Sequence, residues 1–240
     1  SYNWYGALST FSYRRGGVAV NAGAHVMRYH RDHFLAIWPA LNERVYDNTG
    51  RKNEQSAFVK LAYTTGRATW FGDLQLRRSE FRYLPDLRSG VASASKDWGF
   101  LNPRGGITWR QSPRLSVYAS VGGVRREPTR DDMLAGADNV DTSNVASVFP
   151  LERVRPERVV DYEAGAAWER GAVRASANVF AMEFREEIAP VGALSLTGNP
   201  LRVNVGASHR RGIEGELRWE ATPQLSLDAT LALTDARIHR

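Results

Sequence analysis

Period-two alternation constrains this chain more than any other feature, and it is clearest at residues 212–236, GIEGELRWEATPQLSLDATLALTDA. Going in, Ile213, Gly215, Leu217 and Trp219 alternate with Glu214, Glu216, Arg218 and Glu220. Coming out, Leu225, Leu227, Ala229, Leu231 and Leu233 alternate with Ser226, Asp228, Thr230 and Thr234. Successive side chains of a strand point to opposite faces, so this is a β-hairpin with one apolar and one polar face. Ala221-Thr222-Pro223-Gln224 is its turn, with proline presetting one backbone angle.

The same rhythm runs through the chain. Residues 2–14 read as an aromatic-rich strand, and Gly16-Gly17 as a turn. Val18, Val20, Ala22, Ala24 and Val26 form the apolar side of a second strand, followed by a long polar loop predicted over 29–53. A third strand aligns Ala57, Val59, Leu61 and Tyr63, and a fourth aligns Trp70, Leu74 and Leu76. After a second loop at about 84–100, hairpins follow on either side of Gln111-Ser112-Pro113-Arg114 and Glu169-Arg170-Gly171, separated by a long segment at 125–157. A loop around 186–202 precedes the last hairpin. No stretch keeps a 3.6-residue period over a helix length. The expectation is an all-β fold: an antiparallel meander of about ten long strands.

Connections alternate between turns of about three to five residues and loops of roughly 15 to 35, the asymmetry of an outer-membrane barrel. Strands of about 10–14 residues suit the roughly 9–11 that cross a bilayer at a tilt. Trp109, Trp168 and Trp219 lie just before short turns on the apolar side of their strands, where an indole girdle at the headgroup boundary would sit. The opposite face carries Asp161, Glu163, Arg174, Asn178, Glu214, Glu216, Arg218 and Asp228. A wide, wet or plugged lumen can accommodate such a mixed-sign wall, whereas a narrow barrel filled with apolar side chains cannot. The pattern therefore predicts part of a large transmembrane β-barrel. No run of about 18 apolar residues provides a membrane helix, and the absence of cysteine removes disulfides and thiolate metal sites. The net charge of +6 is spread over strands and loops, without a basic patch beside a nucleic-acid recognition motif.

Several boxes then occur in order. They are Asn102-Pro103-Arg104-Gly105-Gly106, Val117-Tyr118-Ala119-Ser120, Arg126-Glu127-Pro128-Thr129-Arg130-Asp131-Asp132, Arg155-Pro156-Glu157-Arg158 with Asp161-Tyr162-Glu163-Ala164-Gly165, Ala177-Asn178-Val179-Phe180-Ala181-Met182, and Asn204-Val205-Gly206 with Gly212-Ile213-Glu214-Gly215-Glu216. Together they resemble the barrels of TonB-dependent outer-membrane receptors over about residues 101–236. Residues 1–100 match only in strand rhythm. The resemblance implies a 22-stranded barrel in the cell outer membrane, plugged by an N-terminal domain and energised by the TonB complex. Residues 1–240 would be one partial barrel domain, an interior piece without plug or terminal strands, with TonB reached through the missing plug. Ferric siderophore is the substrate class the family implies; cobalamin, haem and oligosaccharide stay open.

Candidate ligand contacts at the extracellular loops or rim are His30, His33, Arg125, Arg126 and Arg130. With His25, the first two raise a metal or haem site as one reading and solvated loop histidines as the other. The arginines face an anionic ligand or pair with Glu127, Asp131 and Asp132. No nucleophile–base set, G-x-S-x-G or H-E-x-x-H motif points to an enzyme, and no cofactor or resident metal is expected. The expected function is an active-transport receptor in contact with outer-membrane lipid. The alternatives are a passive porin or structural barrel, and a soluble β-sandwich binding module.

Overall fold

The computed structural model describes residues 1–149, 151–195 and 198–239; Pro150, Arg240 and two residues of the expected 186–202 loop lie outside the described residues. The strands are β1 (Tyr2–Arg15), β2 (Val18–Ala36), β3 (Arg44–Thr65), β4 (Ala68–Leu84), β5 (Ala94–Ser112), β6 (Leu115–Arg126), β7 (Glu157–Arg170), β8 (Val173–Arg185), β9 (Ile188–Leu194), β10 (Pro200–Asn204), β11 (Ala207–Thr222) and β12 (Leu225–Ile238). Ten of them form one antiparallel sheet in the order β1-β2-β3-β4-β5-β6-β7-β8-β11-β12; β9 and β10 make a separate small hairpin. Single helical turns α1 (Arg130–Met133) and α2 (Val145–Val148) lie in the β6–β7 loop.

The meander is therefore as the alternation requires, but several strands are longer than expected. β3 runs for 22 residues, and most of the polar 29–53 segment is strand, leaving a connection only at 37–43. Polar residues on both faces hid this extension from a hydrophobic pattern. The 84–100 loop is shorter too, because β5 begins at Ala94. Two-residue turns close one end of the sheet at 16–17, 66–67, 113–114, 171–172 and 223–224. All the long connections lie at the other end.

Pairing register assigns the faces. We call inner the face covered by the β6–β7 loop. It carries Phe81 and Tyr83 of β4 and Trp98 and Phe100 of β5, which cluster with Met133, Leu134, Val140, Val148 and Leu151 of that loop. The outer face carries a band that is mostly apolar and repeats from strand to strand. Going up from the short turns it reads Val18 to Val26 on β2, Tyr63 to Ala57 on β3, Trp70 to Leu76 on β4, Val173 to Ala181 on β8 and Leu225 to Leu233 on β12. Each strand then switches to charged or polar residues: Arg28, Gln55, Arg78, Glu183 and Asp235. Nothing in the described chain covers the band, and Leu231 and Leu233 are 58% and 60% exposed. One long sheet with an uncovered apolar belt differs from a β-sandwich, in which two facing sheets bury such a surface.

On the inner face, aromatic rings lie flat across cross-strand glycines. Phe180 is paired with Gly212, where an added Cβ would meet its ring at 2.6 Å. Tyr118 covers Gly165 in the same way. Glycine is needed here for close approach.

Candidate functional site

The NPR and REPTR boxes build the site. Proline has no N–H to donate to a ladder, and going up from the short turn β5–β6 pairing stops one residue short of Pro103, at Arg104–Gly122. Above that rung the two strands part, and Asn102 Oδ1 accepts the Arg125 N–H in place of a ladder bond, at 3.0 Å. The chain leaves β6 over the inner face. Glu127, 4% exposed, accepts two hydrogen bonds from Arg77 at 2.6 and 2.7 Å and one from Ser79 at 3.0 Å, and pairs with Lys52 at 2.7 Å. Burial works against its charge, but the bonds from Arg77 and Lys52 prevail and hold its carboxyl at about 2. Thr129 then caps α1 in a reciprocal capping box with Asp132. Arg130 reaches back to the carbonyl of Asp138 at 2.8 Å and to Asn48 Oδ1 at 3.3 Å. Tyr83 Oη accepts the Val140 N–H at 3.0 Å, fixing the far side of the loop.

A pocket of about 250 Å³ lies between this loop and the upper inner wall, lined by Tyr29, Arg31, His33, Lys52, Glu127 and Arg130, among others. Arg31 has no ion pair or side-chain hydrogen bond among the described residues, so its guanidinium is available. His33 is neutral at pH 7: burial, then the nearby charges of Arg130 and Arg31, lower its pKa to about 4. Among the described residues the pocket thus presents the unpaired Arg31, two engaged cations (Lys52 and Arg130), a Glu127 carboxylate already bound by Arg77 and Lys52, a neutral imidazole and a phenol. Such a set suits an anionic, hydrogen-bonding ligand.

The structure brings together only His33 and Arg130 of the rim candidates. His30 is on the outer face, bonded to Asp32 at 2.8 Å. His25 is inner but eight residues from His33 along β2, so the three histidines are not a cluster. Among the described residues no group of three or more His, Cys, Asp and Glu is placed to hold a metal ion. Arg125 points outward. Arg126 is inner but engaged with Glu157 at 2.8 Å. Tyr29, Arg31 and Lys52 were missed because the expected loop concealed the continuing parity of β2 and β3.

Asp161, Glu163, Arg174, Asn178, Glu214, Glu216 and Arg218 all share the inner face. Arg104 pairs with Glu163 at 3.1 Å and Arg174 with Glu169 at 3.0 Å. Arg218 lies 3.6 Å from Glu220 and 3.9 Å from Asp228. Asp161 Oδ1 and Asn178 Oδ1 are buried without a hydrogen-bond partner among the described residues. Glu214 and Glu216 have no ion pair among the described residues. Trp109, Trp168 and Trp219 share the outer face near the short turns, joined there by Trp70, Tyr63 and Tyr13. Trp70 and Tyr63 already align on the apolar sides of their strands in the sequence, and Tyr13 carries the same parity, though the expected girdle has only the three tryptophans.

A family model described as TonB dependent receptor-like, beta-barrel, matches residues 1–239. A search of curated proteins finds no match. Among solved structures, the copper transporter OprC aligns with a TM-score of 0.78 at 15% identity, over 99% of this chain and 38% of that one. The FrpB iron transporter from Neisseria meningitidis (F3-3 variant) aligns with a TM-score of 0.68 at 16% identity, over 98% and 36%. The ferric citrate transporter FecA in its unliganded form aligns with a TM-score of 0.66 at 15% identity, over 99% and 36%. This chain therefore spans 36–38% of the length of those chains.

Proposed function

We propose a function from a settled premise: the chain belongs to the TonB-dependent receptor β-barrel family, whose barrels lie in the outer membrane. The sheet is then an arc of a transmembrane wall. Its outer belt meets lipid, with Trp109, Trp168 and Trp219 in the interfacial girdle at the short-turn end, and its inner face lines the lumen. The unsatisfied Asp161 and Asn178 oxygens and the unpaired Glu214 and Glu216 are contacts for a plug domain seated against that wall. Through such a plug the whole receptor would engage TonB and take up a large nutrient.

Within that reading the substrate is an anionic metal chelate of the ferric-siderophore type. The free Arg31 guanidinium in the loop-covered pocket carries this choice. The names of the similar solved structures, transporters of copper, iron and ferric citrate, support it. The test is uptake of radio-iron siderophore by cells expressing the full-length receptor. Collapsing the inner-membrane potential abolishes uptake but leaves surface binding; uptake that survives collapse means a passive pore instead. Arg31→Glu weakens binding about 10–100-fold, the worth of a charge-assisted hydrogen bond. Unchanged binding removes the pocket from the ligand path.

A further inference from the structure

We propose that Arg125, Arg158 and Arg185 form a phosphate-binding triad on the outer face of the barrel, and that its ligand is the phosphorylated headgroup of an outer-leaflet lipid. Arg125 of β6 is paired directly with Arg158 of β7, and Arg158 with Arg185 of β8. Directly opposed residues on neighbouring strands are about 5 Å apart, so three guanidiniums share a row roughly 10 Å long. Like charges placed opposite one another destabilise a sheet unless a counterion joins them.

The described residues do not supply that counterion. All three side chains are exposed, and none makes an ion pair or a side-chain hydrogen bond among the described residues. The nearest carboxylates are engaged elsewhere: Glu183 with Arg211, Glu157 with Arg126 on the opposite face and Glu186 with Arg155 at 2.9 Å. The remaining partner is an external anion. A phosphate monoester, with charge of about −1.5 to −2 and three acceptor oxygens, matches a row of planar two-pronged donors.

Depth and facing identify its source. Directly below the triad on the same face are Gly123, Val160 and Glu183, the last engaged by Arg211, and then Val121, Tyr162 and Ala181, the top of the apolar belt. The triad therefore sits where lipid headgroups meet the wall. It cannot serve the transported ligand, because alternation places the lumenal side of these strands at Arg126, Glu157 and Phe184. The inference rests on the reading of the outer face as lipid-facing.

The test uses the full-length receptor in phosphatidylcholine nanodiscs containing either bisphosphorylated lipid A or the same lipid chemically dephosphorylated, with bound lipid counted by native mass spectrometry. Wild type retains the phosphorylated lipid. Each Arg→Gln change, at Arg125, Arg158 or Arg185, lowers its affinity about fivefold, and added salt weakens it further. Heat-modifiable migration and siderophore uptake stay as in wild type, showing that the variants fold. Equal retention of both lipids, or wild-type affinity in the triple variant, overturns the triad. Inorganic phosphate bound as tightly as the lipid overturns the lipid source. A bimane on Ala166→Cys tests facing separately. Quenching by nitroxide in the acyl chains upholds the outer face as lipid-facing whatever the triad does, and no quenching overturns that face and the triad with it.

Discussion

The β4–β5 and β11–β12 hairpins begin alike and end differently. At the lower end of the sheet β4 and β5 each meet a two-residue turn, as β11 and β12 do, and both pairs rise with apolar side chains outward and polar side chains inward. Near its top, β4–β5 becomes a protein interior: Tyr83 is fully buried, and Phe81, Trp98 and Phe100 are nearly so. β12 has no buried residue along its length. The difference lies in what covers them. A loop of the chain itself covers the inner face of β4–β5, whereas nothing in the described chain covers the Leu225–Leu233 row. Two stability mechanisms thus share one sheet, and each has its own failure mode.

The largest effect is expected in the loop-covered region. Tyr83→Ala removes a fully buried ring and strands the Val140 N–H that its hydroxyl accepts. Loss of a large buried aromatic costs about 3–5 kcal/mol. Here the cost falls on loop docking, because the strands below keep their ladders. Hydrogen exchange at Val140 and protease cleavage within 127–156 rise sharply, while heat-modifiable migration of the full-length barrel is kept. Global unfolding instead would mean that the two regions are one cooperative unit.

A somewhat smaller effect separates the two faces of β12 and its partner. Leu231→Arg, mid-belt on the outer face, costs about 2–4 kcal/mol if lipid surrounds it. Glu216→Arg, on the inner face of β11, stays within about 0.5 kcal/mol, as at other wet positions. Reversible urea unfolding of the full-length receptor in lipid measures both. Equal costs would dissolve the distinction between the faces.

The lower half of the sheet was legible because apolar and polar side chains alternate strictly there, one kind to each face. Leu225 to Leu233 and Glu214 to Arg218 needed no further information. Above the belt β2 and β3 carry polar residues on both faces, so β2 beyond Arg28 and β3 before Gln55 lose the hydrophobic signature and read as loop in the sequence. Counting parity upward from Val117 would have put Arg125 outside and Arg126 inside, since a strand does not change its alternation where its solvent changes. The loop core was less accessible. Met133, Leu134, Val140, Val148 and Leu151 follow no period, and their one sequence counterpart is the inward aromatic row Phe81, Tyr83, Trp98 and Phe100.

The smallest effect at neutral pH, and the one that best separates the regions, is the response of the loop to acid. Glu127 is held at about 2 against an ordinary 4.5, with burial opposing and the bonds from Arg77 and Lys52 prevailing. A carboxylate whose pKa is lowered in the docked state contributes stability that is complete above its free value and is lost as pH falls through the docked value. Loop docking should therefore be insensitive to this group above pH 4.5, weaken progressively below it, and lose the contribution near pH 2. The outer belt of β11–β12 carries no carboxylate between Ile213 and Trp219 or between Leu225 and Leu233, so its response should be flat over the same window. Following loop cleavage and barrel unfolding side by side from pH 7 to pH 2 tests this. In Glu127→Gln the acid sensitivity of the loop should disappear; its persistence would place the titrating group elsewhere.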